Sequence, residues 1–312
     1  MNILLLGGNG FGFAHAESYQ RLGYDFSVFS RNENVLKEYE SKLGVKRTFS
    51  NMENALNWDY DIIDIVMPHN FHKDLAVYAI KRGKHVLVEK PIATTLEEAD
   101  IMIDEAQKNN VKLMVAEQYY FDRSLQFAIK SISEGKIGKV HTIITRDQRY
   151  FQEPGWRTRE KEMGGGALID GGIHYLEAFL NIGGEYDNIH SMKYKGNLNL
   201  QGEDTSSALF SFKSGAKGIF FYSWAYKFAP ALPAYEIVGT DGSIYDSNIR
   251  SKHIRTAFGK PVINGHIQNI DEADVIDQEI SGFVKAIEND NPVPYPLNNA
   301  IRNLKAVLSI YS

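Results

Sequence analysis

Cysteine is absent from this 312-residue chain. Its absence excludes disulfides, a thiol nucleophile, iron–sulfur clusters and thiolate zinc sites. Metal-ligand spacing is missing as well. The nine histidines are scattered and form no HExxH pattern. His69 and His72 stand three apart but form no recognised metal-ligand pattern with their neighbours, so no metal site is expected. No apolar run approaches the ~18 residues of a transmembrane helix. Basic charge is not in excess either: the net charge is -5. That leaves no footprint for nucleic acid and no polybasic membrane patch. The opening run Asn2–Leu6 is too short for the apolar core of a signal peptide and has no charged segment ahead of it. It reads as a strand, and the expected location is the cytoplasm.

What is present suits two domains of a globular chain. The first part alternates short apolar strands (Ile3–Leu6, Phe26–Phe29, Ile62–Met67, His85–Val88, Lys112–Ala116) with amphipathic helices (Phe11–Leu22, Glu33–Leu43, Phe71–Lys81, Leu96–Asn109). Thr94 and Thr95 followed by Glu97 and Glu98 form a helix-capping pattern. This βαβ alternation predicts a doubly wound parallel sheet of the Rossmann type over residues 1–118. The pattern then changes. Asp122–Ser133 reads as a helix and Val140–Phe151 as a long strand. Strands alternating in polarity follow from Tyr194 to Tyr245, and helices return at Asp274–Glu288 and Asn298–Ile310. Residues 119–312 therefore read as an α/β substrate domain with a large, mostly antiparallel sheet. Its last helices are able to pack back on the first domain. No flexible linker separates the parts, so a cleft at their junction is the expected binding site.

The turn Gly7-Gly8-Asn9-Gly10-Phe11-Gly12 joins the first strand to the first helix. A dinucleotide needs that position: glycines admit its pyrophosphate close to the backbone, and the helix N-terminus favours the charge. Asn9 replaces one expected glycine and is the side chain that best tolerates positive φ. Gly7, Asn9, Gly10, Phe11 and Gly12 are the candidate phosphate contacts. The second strand ends in Ser30-Arg31 and carries no acidic residue there. A hydroxyl followed by a guanidinium suits a 2′-phosphate, so NADP is favoured over NAD.

Two further segments carry chemistry. Gly164 to Gly166 precede Asp170 and His174. Residues four apart share a helix face, and a carboxylate beside an imidazole is a proton-transfer arrangement. Gly171 and Gly172 are costly inside a helix and suggest close approach of substrate or cofactor. The second segment is Glu89-Lys90-Pro91, at the carboxyl end of a parallel strand where ligands bind in open α/β sheets. The Lys90–Pro91 bond is a candidate for cis.

The run Gly83-Lys84-His85-Val86-Leu87-Val88-Glu89-Lys90-Pro91 resembles the signature of the Gfo/Idh/MocA oxidoreductases. Pro68-His69-Asn70-Phe71-His72 is similar to that family's P-N-x-x-H turn. Gly135-Lys136-Ile137-Gly138 is similar to its G-x-I-G opening of the second domain. Gly12-Phe13-Ala14-His15 is similar to its glycine loop with a following histidine, and Gly164 to His174 to its G-G-G-x-x-x-D-x-G-x-H helix. The resemblance covers essentially the whole chain. Asn9 departs from it, as does Glu177, where many relatives carry Asp. It implies hydride transfer between a nicotinamide and a carbohydrate or polyol, and a homodimer or homotetramer built through the second sheet. It places the catalytic lysine on Lys90, the aspartate on Asp170 and the histidine on His174. His174 would accept a hydroxyl proton, Asp170 would orient the hydroxyl or the imidazole, and Lys90 would stabilise alkoxide charge. The cofactor is expected near Pro68, His69, His72, Glu89 and Glu117, and Tyr150, Trp156 and Arg157 would line the sugar side. Two rival readings stand beside it: an NAD-dependent glycosidase of the same fold, which the same residues could serve, and a non-catalytic dinucleotide sensor, against which the retention of Lys90, Asp170 and His174 together argues.

Overall fold

The computed structural model describes residues 1–196 and 198–312. They form two compact units. The first comprises Met1–Glu117 with Ile276–Ile301, the second Gln118–Val275 with Arg302–Ser312.

In the first unit six strands form one sheet: β1 (Ile3–Leu6), β2 (Phe26–Phe29), β3 (Thr48–Phe49), β4 (Ile62–Ile65), β5 (His85–Glu89) and β6 (Leu113–Ala116). Their order is β3-β2-β1-β4-β5-β6 and every pairing is parallel. Strand order reverses between β1 and β4, which is the switch point where α/β sheets bind ligands. Both faces of the sheet are covered, so the strands read as continuous apolar runs. Asp64, in the middle of β4 and with no exposed surface, is a charged-type residue inside one of these runs. The helix Phe11–Leu22 ends at Gly23 and Glu33–Leu43 at Gly44, both left-handed, with φ of 75° and 64°. Thr95 caps Leu96–Lys108 by accepting from the Glu98 amide, while Thr94 donates back to Glu98. β3 has only two residues, too few for a periodicity to betray it.

The second unit holds eight strands: β7 (Val140–Gln148), β8 (Tyr186–Tyr194), β9 (Thr205–Phe212), β10 (Lys217–Ser223), β11 (Tyr235–Gly239), β12 (Ser243–Asp246), β13 (Pro261–Ile263) and β14 (His266–Ile267). The order is β14-β13-β12-β11-β7-β10-β9-β8. Only β7 and β10 pair in parallel. One face carries Phe210, Phe212 and Phe220, which pack around Phe179 of the helix Ile173–Gly183 at ring separations of 4.9, 5.2 and 5.9 Å. A Cβ on Gly218 would come within 2.3 Å of the Phe179 ring, so glycine there lets helix and sheet close. β8 lies at the sheet edge and is mostly exposed. An edge strand without a buried face has no apolar alternation, which is why only its last residue, Tyr194, is legible as strand. Among the described residues no helix is long and apolar enough to cross a membrane.

Candidate active site

The turn after β1 is shaped by glycine at three points. A Cβ on Gly7 (φ 107°) would sit 1.9 Å from the Val66 carbonyl oxygen, and one on Gly12 would sit 1.9 Å from the Gly7 oxygen. Gly10 (φ 58°) starts the helix with open space around it. Positive φ thus falls on Gly7 and Gly10 and not on Asn9. Asn9 stands in the turn as an ordinary exposed residue whose carbonyl accepts from the Gly12 amide, so tolerance of positive φ does not explain it. The exposed turn and the helix N-terminus behind it fit a dinucleotide pyrophosphate. Phe11 is 38% exposed, and its ring meets His15 edge-on. At the end of β2 the Ser30 hydroxyl accepts from the Asn32 amide, while Arg31 is exposed.

Beyond β4, Pro68 opens a short 3-10 turn, His69–Phe71. His69 is buried, its ring 5.6 Å from that of His72. His72 is fully enclosed. Its Nδ1 lies 2.8 Å from the Pro91 carbonyl and its Nε2 2.9 Å from the Met67 carbonyl. Burial and the neighbouring His69 lower its pKa to about 4, against the pull of the two carbonyls. Both ring nitrogens are committed to backbone and no surface remains for a ligand. His72, expected among the cofactor contacts, therefore braces the loops after β4 and β5. Lys90 follows β5 and is partly exposed, and the Lys90–Pro91 bond is cis. Glu89 and Glu117, at the ends of β5 and β6, are buried at 6% and 1% exposure. The Glu89 carboxylate meets His15 Nε2 at 3.1 Å, and the same imidazole meets Asp64 through Nδ1 at 2.8 Å. The sequence alone does not bring Asp64 or His15 to the site, since neither lies near Glu89 in the chain. The signals available were an acidic residue in a buried strand and the histidine that follows the glycine loop.

In the second unit the glycine run has a structural cause. A Cβ on Gly165 would strike the Tyr311 ring at 2.5 Å, and one on Gly166 the Glu203 backbone at 2.1 Å. On Gly171 it would lie 2.0 Å from the Tyr222 hydroxyl, and on Gly172 2.9 Å from the Tyr222 ring. The close partners are Tyr311, Glu203 and Tyr222, not substrate or cofactor as the spacing suggested. Leu168–Gly172 forms a π turn that runs into the helix Ile173–Gly183. Such turns recur at functional sites. Asp170 is 3% and His174 8% exposed. Arg157 Nε donates to Asp170 Oδ2 at 2.6 Å, and its guanidinium sits 4.5 Å from the Trp156 ring centre. His174 stacks on Tyr119, with ring centres 4.6 Å apart and planes inclined by 18°. Tyr119 carried no sequence signal, because a Tyr-Tyr pair after a strand is compatible with plain packing. Tyr150 is 47% exposed and bonds Gln152. Glu177, the departure from the family pattern, is buried and accepts from the side-chain amides of Asn181 and Asn303. Among the described residues no group of three or more His, Asp or Glu is arranged to hold a metal ion.

Residues 1–117 match the oxidoreductase family with an NAD-binding Rossmann fold, and residues 125–245 match the GFO/IDH/MocA C-terminal domain. Among curated proteins, the levoglucosan dehydrogenase of Pseudarthrobacter phenanthrenivorans is 27% identical over 62% of this chain. The match spans 53% of that enzyme, about half its length. The myo-inositol 2-dehydrogenase of Thermotoga maritima is 26% identical, covering 80% of this chain and 76% of its own. Among solved structures, an oxidoreductase from Thermotoga maritima superposes with a TM-score of 0.88 at 22% identity, over 99% of this chain and 95% of that one.

Proposed function

The chain belongs to the Gfo/Idh/MocA oxidoreductase family, and from that premise we propose that it moves a hydride between a nicotinamide dinucleotide and a hydroxyl-bearing carbon of a sugar, polyol or sugar derivative. The observation that supports this reading is the pair Asp170 and His174, both nearly buried on a π turn that runs into a helix, in a chain whose first strand ends in a glycine turn of a shape that suits a pyrophosphate. When bound, the nicotinamide supplies or accepts the hydride.

The chain's own groups do the rest. Loss of hydride from an alcohol carbon requires loss of the hydroxyl proton, and His174 accepts it. Stacking on Tyr119 holds the imidazole plane. Asp170, anchored by Arg157, orients the hydroxyl or the imidazole. Lys90 donates to the same oxygen and stabilises alkoxide charge. Trp156, Arg157 and Tyr150 line the sugar side. Gly7, Asn9, Gly10, Phe11 and Gly12 would hold the pyrophosphate, and Pro68, His69, Glu89 and Glu117 would be the residues near the nicotinamide. Ser30 and Arg31 favour NADP through its 2′-phosphate. A homodimer or homotetramer through the second sheet is supported by its open side, where Met192, Leu209 and Ile219 are 75%, 56% and 43% exposed.

The test is a screen of aldoses, polyols, inositols and sugar nucleotides with NAD and with NADP, read by nicotinamide absorbance. Stoichiometric absorbance change is expected, and sugar release without net change would point to a glycosidase instead. Lys90→Ala is expected to cut turnover by at least about a hundredfold while the protein stays folded. Near-normal turnover in that variant overturns the mechanism.

A further inference from the structure

Asp64 is a carboxyl group buried in the middle of a sheet, and such a group persists only if it is hydrogen-bonded. Its partners are His15 Nδ1 at 2.8 Å and the Tyr19 hydroxyl, which donates to the same oxygen at 2.7 Å. The other ring nitrogen of His15 faces Glu89 Oε1 at 3.1 Å, and Glu89 Oε2 accepts the Lys90 backbone N–H at 3.2 Å. Register explains the meeting. Asp64 pairs with Leu87, and Glu89 lies two residues further on, so both carboxylates project from one face of the sheet. The helix Phe11–Leu22, which begins at the dinucleotide turn, presents His15 to that face.

An imidazole with a carboxylate at each nitrogen donates both protons. Burial works against a charge on His15, but Asp64 and Glu89 outweigh it and raise its pKa well above the ordinary value. Glu279, on the helix Val275–Glu288, and Glu117 also act on this cluster. Burial raises the Glu279 pKa well above the carboxylate range; the nearby His15 works against this, and Glu89, Glu117 and Asp64 reinforce it.

We propose that His15 is a positioning residue: its imidazolium ties the dinucleotide helix through Glu89 to the backbone of Lys90, so that seating the dinucleotide on Gly7–Gly12 and placing Lys90 are one event. This rests on the reading of Lys90 as the group that acts on the substrate oxygen. The chain of bonds is short and buried up to its last, part-buried link at Lys90, with His15 and Asp64 fully enclosed and Glu89 6% exposed. Buried charge-assisted bonds of this kind hold geometry more firmly than surface pairs do.

Two measurements test it in the intact protein, using NAD and NADP as probes. The first is amide hydrogen exchange of the segment 85–92 with and without dinucleotide, which needs no turnover. The second is kcat against KM on whichever sugar the screen finds. In the wild type, dinucleotide is expected to slow exchange across 85–92. In His15→Gln that slowing disappears, kcat falls about tenfold or more and the KM for sugar changes little. Glu89→Gln keeps the shape but loses the charge, so it shows the same uncoupling even if His15→Gln folds poorly. Tyr19→Phe removes a bond to Asp64 without touching the link to Glu89 and behaves as wild type. Retained slowing in both His15→Gln and Glu89→Gln overturns the proposal, as does equal uncoupling in Tyr19→Phe, which would mean general loosening. If Lys90→Ala turns over normally while His15→Gln still uncouples the exchange, the functional reading has failed and the linkage stands.

Discussion

Arg157 and Asp170, thirteen residues apart, form a tight polar link at the candidate catalytic helix: Nε to Oδ2 at 2.6 Å, with the Asp170 side chain 5% and the Arg157 side chain 26% exposed. A guanidinium offers donors in a rigid plane, so this contact fixes the carboxylate's orientation as well as its charge. Burial opposes the charge on Arg157, yet Asp170, with Glu153 beyond it, keeps that charge in place.

Arg157→Ala should therefore cost more than a surface change. Removing the cation beside a buried carboxylate is expected to lower stability by about 2–4 kcal/mol. The double variant Arg157→Ala/Asp170→Ala should lose clearly less than the two single losses added together. Urea denaturation of all four proteins measures this, and strict additivity would show that the pair contributes nothing as a pair.

Gly171→Ala should invert the usual propensity. Alanine ordinarily gains about 1 kcal/mol over glycine inside a helix. Here the new methyl would lie 2.0 Å from the Tyr222 hydroxyl, with the Trp224 indole nitrogen 3.1 Å away. The thermal midpoint is expected to fall, and Gly171→Ala/Tyr222→Phe should recover part of the loss. A midpoint equal to or above that of the wild type would mean that the tyrosine yields freely.

Glu203 predicts a particular pH dependence. Its carboxylate accepts the Leu168 amide at 2.8 Å and the Tyr311 hydroxyl at 3.0 Å. Burial still prevails and raises its pKa from 4.5 to about 7. Between those values the folded state keeps a proton that the unfolded chain has released. Stability from this group is thus present at low pH and falls as pH rises toward 7, by on the order of 3 kcal/mol in all. Glu203→Gln should show a flatter stability profile than the wild type across that window and pull ahead of it above pH 7. Parallel profiles in the two proteins would refute the assignment.

Arg31→Ala tests the cofactor preference. Arg31 is exposed and follows Ser30 at the end of β2. Loss of one charged contact to a 2′-phosphate is expected to raise the KM for NADP about tenfold and leave that for NAD unchanged. Equal changes for both cofactors would remove Arg31 from the 2′-phosphate site.

The sequence by itself determined the Rossmann sheet, because a strand buried on both faces must be apolar along its whole length and the helices between must carry a 3.6-residue stripe. It also made two candidate motifs legible, Glu89-Lys90-Pro91 and Asp170 with His174, since each is local in the chain; that Asp170 stands in a π turn rather than on an ordinary helix face came only with the structure. Edge strand β8 escaped because exposure erases the alternation, and β3 because two residues have no period. The tertiary structure decided what each special residue touches. Gly171 and Gly172 owe their place to Tyr222, and His72 owes its burial to two carbonyls from separate loops. Arg157 serves Asp170 directly, and His15 finds Asp64 and Glu89 only when β4 and β5 pair in register under the first helix. These contacts join residues far apart in the chain. No local pattern encodes them, because hydrogen-bond demand in a buried site is met by whichever partner the packing brings within about 3 Å.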